Sequence, residues 1–151
     1  MRTRLPLGAI LGMILVASCG GRPGLNVSIA NDIVPMVLGS TTEGTACSMS
    51  HGDAFPQNVP LTIVHGSASP TIRFEAGQGA TEIRGWIYDV EAPSPSGGPT
   101  EEFTLQGTSG TYQPRSIVAA RTYRILVNVR WSFVVTHGEE THLFDLRAVP
   151  D

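Results

Sequence analysis

Residues 123–135 read YRILVNVRWSFVV, and this stretch decides the fold class. Apolar side chains stand at every second position from Tyr123 to Val135, and polar residues such as Arg124 and Asn128 lie between them. Successive side chains of a β-strand point to opposite faces of a sheet, so this alternation predicts a long strand with one face buried. A half-buried strand of this kind is typical of an antiparallel sheet.

The segments on either side continue the strand pattern. Residues 136–140 (THGEE) predict a polar turn and residues 142–149 (HLFDLRAV) a returning strand, which together make a hairpin. Residues 39–60 hold few apolar anchors and predict a loop with at most one short strand. Five other runs predict strands, at residues 26–29, 61–64, 71–75, 81–90 and 102–106. Short strands separated by turn residues favour a β-sandwich or barrel, and we expect an all-β antiparallel sandwich.

The closing segment resembles the end of an immunoglobulin-like or fibronectin-type-III-like domain. In those families an apolar residue and a tyrosine precede a long alternating strand, and the final strand pairs back on it. The matching residues here are Ile117, Tyr123, Ile125 and Val127. The resemblance covers about residues 60–149 and implies an Ig-like sandwich with Trp86 as a core tryptophan. The antibody-type cysteine pair and a proline before Tyr123 are absent, and sandwiches of this kind carry many unrelated functions.

The start of the chain predicts an export signal. Arg2 and Arg4 precede the apolar run 5–16, and the small residues Ala17 and Ser18 follow it. The run is shorter than the roughly 20 residues that a transmembrane helix needs. A lipoprotein signal, an ordinary secretory signal and an uncleaved anchor are the alternatives, and the cysteine that follows favours the first.

The sequence Val16-Ala17-Ser18-Cys19 resembles the lipobox of bacterial lipoproteins, whose commonest form has leucine where Val16 stands. The resemblance implies cleavage between Ser18 and Cys19 and a diacylglyceryl group on the Cys19 sulfur. The new amino group is often acylated as well, with a fatty acid such as palmitate. Two or three acyl chains anchor a protein stably, whereas one holds it only marginally.

These assignments divide the chain into three parts. Residues 1–18 are expected to be the signal peptide, residues 19–25 a lipidated tether, and residues 26–151 a single β-sandwich domain. The protein should then be extracytoplasmic and membrane-anchored. Gly20, rather than aspartate, follows Cys19, so the inner-membrane retention signal of enteric bacteria is missing. We expect the outer membrane if the organism has one, and otherwise the outer face of the plasma membrane.

Charge and cysteine content narrow the classes of partner. The full chain has 10 basic and 13 acidic residues, so removal of Arg2 and Arg4 leaves eight against thirteen and a net charge of about −5. A negative surface disfavours nucleic acid as a partner. If Cys19 carries lipid, Cys47 has no cysteine left to pair with, and it is either a buried apolar side chain, a reactive thiol or a metal ligand.

The candidate metal ligands cluster in residues 47–51. Cys47, Met49 and His51 would share one face of an extended segment, and thiolate, thioether and imidazole are ligands that Cu(I) prefers. An irregular loop that happens to carry these residues explains them equally simply. His137 and His142, with Glu139 and Glu140 between them, could converge across the hairpin on zinc, or could be ordinary turn residues.

The sequence offers no catalytic constellation. It has no glycine-rich phosphate loop, no GxSxG and no HExxH, and Glu101 and Glu102 should point to opposite faces of a strand. We therefore expect a lipid-anchored envelope lipoprotein with a structural or protein-interaction role, no catalytic activity, and no cofactor besides the covalent lipid on Cys19. Its partners would be the membrane and other envelope proteins. The alternative is an extracytoplasmic copper or small-ligand binding protein that uses Cys47, Met49 and His51.

Overall fold

The structure is a computed structural model, and it describes residues 22–45, 49–52, 56, 58–92 and 98–149. Within these ranges the chain forms eleven strands and no helix. The strands are β1 (Leu25–Ile29), β2 (Asp32–Ile33), β3 (Val37–Thr45), β4 (Met49–Gly52), β5 (Leu61–His65), β6 (Ile72–Ala76), β7 (Ala80–Asp89), β8 (Glu101–Gln106), β9 (Ser109–Tyr112), β10 (Thr122–Ser132) and β11 (Thr136–Val149).

The strands form two sheets that do not close into a barrel, so the expected all-β sandwich-like fold is confirmed. The smaller sheet has the order β2-β1-β6-β9. The larger has the order β4-β3-β11-β10-β7-β8, and β5 also pairs with β11. Every pairing is antiparallel except that of β5 with the second half of β11, which is parallel.

The core lies between the sheets and follows the alternation of β10. The inward residues of that strand are Tyr123, Ile125, Val127, Val129 and Trp131, all at most 2% exposed. From the smaller sheet, Val27 and Phe74 close the other side of the core. The Phe74 and Phe103 rings pack at a tilt of 39°, with 5.2 Å between their centroids. Burial of a side chain of this size stabilises a fold by about 1.5–3 kcal/mol.

The terminal hairpin is present, but its turn lies earlier than expected. Residues 136–140 belong to β11, and the turn consists of residues 133–135, closed by a hydrogen bond from the Phe133 amide to the Thr136 carbonyl (2.6 Å). The polar residues are held in the strand because β3 pairs with β11 from Thr136 to Leu143 and supplies backbone partners there. The expected polar turn was therefore wrong.

The expected loop at residues 39–60 was wrong in its first part, because residues 39–45 and 49–52 belong to β3 and β4, which form a hairpin. Residues 56 and 58–60 lie outside any strand, as expected. The strands β3 and β4 lie at one edge of the larger sheet, where neither face is fully covered. Threonine fits a half-exposed strand of this kind through its β-branched side chain. An edge strand therefore forms without the apolar alternation that marks a strand in the middle of a sheet.

Trp86 is not a core residue. Ile83, Gly85 and Ile87 face the core from β7, so Trp86 lies on the outer face of the strand and is half-buried. The buried Phe103 ring lies over Gly85, because a Cβ at residue 85 would be only 2.1 Å from that ring. The face of β7 that carries Gly85 is therefore the inward face. The tryptophan that the core contains is Trp131.

Candidate functional site

The outer face of the larger sheet carries a row of apolar side chains across four strands. Trp86 of β7 pairs with Leu126 of β10, Leu126 pairs with Leu143 of β11, and Leu143 pairs with Val37 of β3. All four are half-buried. We call this set the apolar row.

A glycine allows the apolar row to extend over β3. The Leu143 side chain lies over Gly39, because a Cβ at residue 39 would be only 2.7 Å from Cδ1 of Leu143. A larger residue at position 39 would displace the leucine. On the same face β5 exposes Leu61 (46%) and Ile63 (51%), which pair with Asp145 and Arg147 of β11. Their cross-strand neighbours are therefore charged residues and not members of the apolar row.

Ion pairs flank the apolar row on both sides. The Arg124 guanidinium donates two hydrogen bonds to the Asp145 carboxylate, at 2.9 and 3.0 Å, and these bonds raise the pKa of Arg124. On the other side Arg130 lies 3.5 Å from Glu82 and 3.8 Å from Glu139. Exposed pairs contribute about 0–1 kcal/mol each, so they define the polar border of this surface more than they stabilise the fold.

The smaller sheet has a different outer face. Its outward residues are polar in β1, β6 and β9, namely Asn26, Ser28, Arg73, Glu75, Ser109 and Thr111. Ile33 of β2 pairs with Ser28 at the edge of this face and is 81% exposed. This face therefore carries a single apolar residue at its edge, whereas an apolar strip with a charged border is typical of protein–protein contacts. Of the two outer faces, the larger sheet therefore has the one suited to a protein partner.

Of the three candidate metal ligands Cys47, Met49 and His51, the structure describes the last two. Met49 and His51 lie two positions apart in β4, share one face as expected, and are both exposed. The Nδ1 atom of His51 lies 2.8 Å from the Thr42 hydroxyl oxygen. Cys47 lies outside the described residues, so its place on that face stays a prediction. Within the described ranges, no group of three or more His, Cys, Asp or Glu side chains is placed to hold a metal ion.

His137 lies on the same face as Met49, one strand away. Gly44 pairs with both residues, and a Cβ on Gly44 would lie 3.0 Å from Nε2 of His137. The imidazole therefore lies over the glycine, towards β4. Sequence reasoning did not connect His137 with Met49, because the connection depends on the register of β3 with both neighbours.

His137 and His142 do not converge. They are five residues apart in β11, so they lie on opposite faces, which excludes the zinc site across the hairpin that was one of the two alternatives for them. His142 instead contacts Glu140 on the inner face, with 2.9 Å between Nε2 and Oε1. Glu140 is only 3% exposed, and a buried carboxylate needs such a partner because leaving it unpaired is costly.

Glu101 and Glu102 point to opposite faces of β8, as expected. The Glu101 carboxylate accepts hydrogen bonds from the backbone amides of Arg115 (2.9 Å) and Ser116 (2.7 Å) and from the Tyr112 hydroxyl. Burial alone would raise the pKa of Glu101, but these hydrogen bonds outweigh it and lower the pKa to about 2. Burial and the Glu101 contact raise the pKa of Tyr112 to about 12. These groups fasten the segment before β10 to β8 and β9.

The part of the chain that the structure describes includes no helix of the length and hydrophobicity required to cross a membrane. Comparison with protein-family models, with curated proteins and with solved structures found no match for this chain.

Proposed function

We propose that this chain is a lipid-anchored lipoprotein of the bacterial cell envelope, held in the membrane by acyl chains on Cys19, with a structural or protein-interaction role. The lipobox-like residues 16–19 support the anchor. The apolar row on the outer face of the larger sheet carries the interaction role, because its tryptophan and leucines are open to a partner. The partner we propose is another envelope protein, since the mature chain is negatively charged and ill-suited to nucleic acid.

We also propose that the single sandwich domain is Ig-like, with the resemblance carried by residues 60–149. The Tyr123 hydroxyl at the start of β10 accepts a hydrogen bond from the Val118 amide (3.0 Å). A buried tyrosine that binds the backbone a few residues upstream is a hallmark of Ig-like sandwiches. The pairings β6 with β9, and β8-β7-β10-β11, also match the two sheets of that architecture.

The anchor is tested by replacing Cys19. Cys19→Ala should abolish incorporation of labelled palmitate and leave an unprocessed precursor, because Cys19 is the cysteine that directly follows the lipobox-like residues 16–18. Cys47→Ser is the matched control and should leave labelling unchanged. Labelling that survives Cys19→Ala would refute the anchor.

The interaction surface is tested by photo-crosslinking in the intact envelope. Benzoylphenylalanine at Trp86 or Leu126 should crosslink to one defined protein, identified by mass spectrometry. The same group at Thr111, on the outer face of the smaller sheet, should not. Equal crosslinking from both faces, or none from the apolar row, would contradict the proposed role of this surface.

A second candidate function is copper or small-ligand binding through Cys47, Met49 and His51. The shared face of Met49 and His51, with His137 lying towards β4, favours it. Purified protein should then bind about one equivalent of Cu(I), and His51→Ala should weaken binding while His65→Ala should not. A copper stoichiometry near zero, with Cys47→Ser leaving stability unchanged, would exclude this function.

A further inference from the structure

The first described residues lie at the same end of the sandwich as the β10–β11 turn. The Gly77 amide donates to the carbonyl oxygens of Pro23 (3.2 Å) and Gly24 (3.0 Å). Two residues further along the same β6–β7 turn, the Gly79 carbonyl accepts a hydrogen bond from the Ser132 amide (3.0 Å), and Ser132 ends β10. The chain entering β1 and the β10–β11 turn are therefore held beside each other by the β6–β7 turn.

The β10–β11 turn presents two valines to solvent. Val134 is fully exposed (103%) and Val135 half so (51%). The neighbouring Phe133 packs back instead, because a Cβ on Gly79 would lie 2.3 Å from its ring. Together with the hydrogen bond that closes the turn, this contact fixes the direction in which the valines project. We call Val134 and Val135 the apolar tip.

The short connection to Cys19 limits how far this end can be from the membrane. Arg22 is three residue steps along the chain from Cys19, and an extended chain spans at most about 3.6 Å per step, or about 11 Å in all. This step rests on the proposed function, since it needs acyl chains on Cys19. With them in place, the bilayer surface lies within that distance of the end that carries the apolar tip.

We propose that the apolar tip enters the lipid surface and forms a second membrane contact beside the acyl chains. The arginines nearest this end are ion-paired, Arg22 with Glu43 (3.4 Å) and Arg130 with Glu139 (3.8 Å). Attraction to anionic headgroups therefore adds little, and the contact is apolar. The tip sets the orientation of the domain, because an acyl tether by itself leaves the sandwich free to rotate.

The contact places the opposite end of the sandwich away from the membrane. Val118 lies at that end, where its amide contacts the Tyr123 hydroxyl at the start of β10. The eleven residues of β10, at about 3.3 Å each, separate it from the tip by roughly 35 Å. Val118 is 58% exposed, close to Val135 (51%), and serves as the control position at the far end.

The test uses the lipidated full chain in vesicles. Val134→Cys and, separately, Val118→Cys are made in a Cys47→Ser background, labelled with the fluorophore NBD, and reconstituted into phosphatidylcholine vesicles with doxyl-labelled lipid. NBD at 134 should emit at shorter wavelength than in water and be quenched several-fold more than NBD at 118. Vesicles with phosphatidylglycerol should give the same result, and near-ultraviolet circular dichroism should show that both variants keep the native fold.

The outcomes of this experiment distinguish the apolar tip from the lipid anchor. Protein that floats with the vesicles while positions 134 and 118 are quenched equally would overturn the apolar tip and leave the lipid anchor standing. If NBD at position 134 were quenched only in vesicles that contain the anionic lipid phosphatidylglycerol, the contact would be electrostatic. That result would overturn the proposed apolar contact. Protein that does not float with the vesicles would overturn both the anchor and the tip that depends on it.

Discussion

At the scale of single residues, Glu101 shows how one carboxylate organises a connection between strands. Two backbone amides and the Tyr112 hydroxyl donate to it, from the residues that lead towards β10 and from β9. Hydrogen bonds to a charged group are stronger than those between neutral groups, at about 1.5–3 kcal/mol. The position of the segment after β9 therefore depends on the ionised form of Glu101.

The charge on Glu101 should make the stability of the protein sensitive to acid. Its pKa is about 2 in the folded chain, below the ordinary value of 4.5, so the unfolded chain takes up the proton first as pH falls. The stabilisation is full above pH 4.5 and is lost as pH falls from 4.5 towards 2. Urea unfolding of Glu101→Gln should show a loss of roughly 1–3 kcal/mol at pH 7 that shrinks towards pH 2.

Glu102→Gln is the control, because that side chain lies on the other face of β8 and is exposed. Its unfolding free energy should stay close to that of the native chain at neutral pH. An equal loss for the two variants, or a loss for Glu101→Gln that does not change with pH, would show that the hydrogen bonds to Glu101 are not what stabilises the segment.

At the scale of elements, the packing of β7 against β8 depends on a glycine, Gly85, which has no side chain. The Phe103 ring of β8 covers Gly85 of β7, and it also stacks on Tyr112 with 4.3 Å between centroids. Phe103 is thereby held between the two sheets, where it also meets Phe74. The absence of a Cβ at residue 85 is what allows this aromatic cluster to form.

Gly85→Ala should destabilise the protein by about 1–3 kcal/mol, because the new methyl group would overlap the Phe103 ring and force it to move. Gly98→Ala is the matched control, since a Cβ there meets nothing within 4 Å. Urea unfolding of the two variants checks this expectation. A Gly85→Ala variant as stable as Gly98→Ala would mean that the ring does not occupy this space.

The sequence predicts those strands whose own residues alternate between apolar and polar, and it fails where a strand depends on pairing with a neighbour. The burial of β10 follows from its own alternation, and that prediction is confirmed. The turn was misplaced because residues 133–135 are apolar and continue the alternation, while β11 begins with polar residues that only the pairing with β3 holds in place. β3 itself lacks an alternating pattern because it lies near the sheet edge.

The candidate surface could not be predicted, because it combines one residue from each of several strands. Leu126 and Val37 are far apart in the chain, and only the registers of β10, β11 and β3 bring them into one row. The resemblance to Ig-like domains implied Trp86 as a core tryptophan, and the sequence of β7 did not exclude this because it carries apolar residues on both faces. The contact between Gly85 and Phe103, which lie far apart in sequence, decides which of those faces turns inward.

At the scale of the whole molecule, two apolar surfaces lie on different parts of the sandwich. The apolar tip lies at the end where the described chain begins, and the apolar row lies along the side of the larger sheet. With the tip at the membrane, the sandwich would stand on the bilayer and present the row to neighbouring envelope proteins. The proposed membrane contact of the tip rests on the lipid that we propose for Cys19.

The most direct test of this account is mass spectrometry of the amino-terminal peptide of the protein isolated from its own membranes. The account predicts that this peptide begins at Cys19 and carries the mass of a diacylglyceryl group, with or without a further acyl chain. A mature chain that begins at Met1, or an unmodified Cys19, would contradict the account.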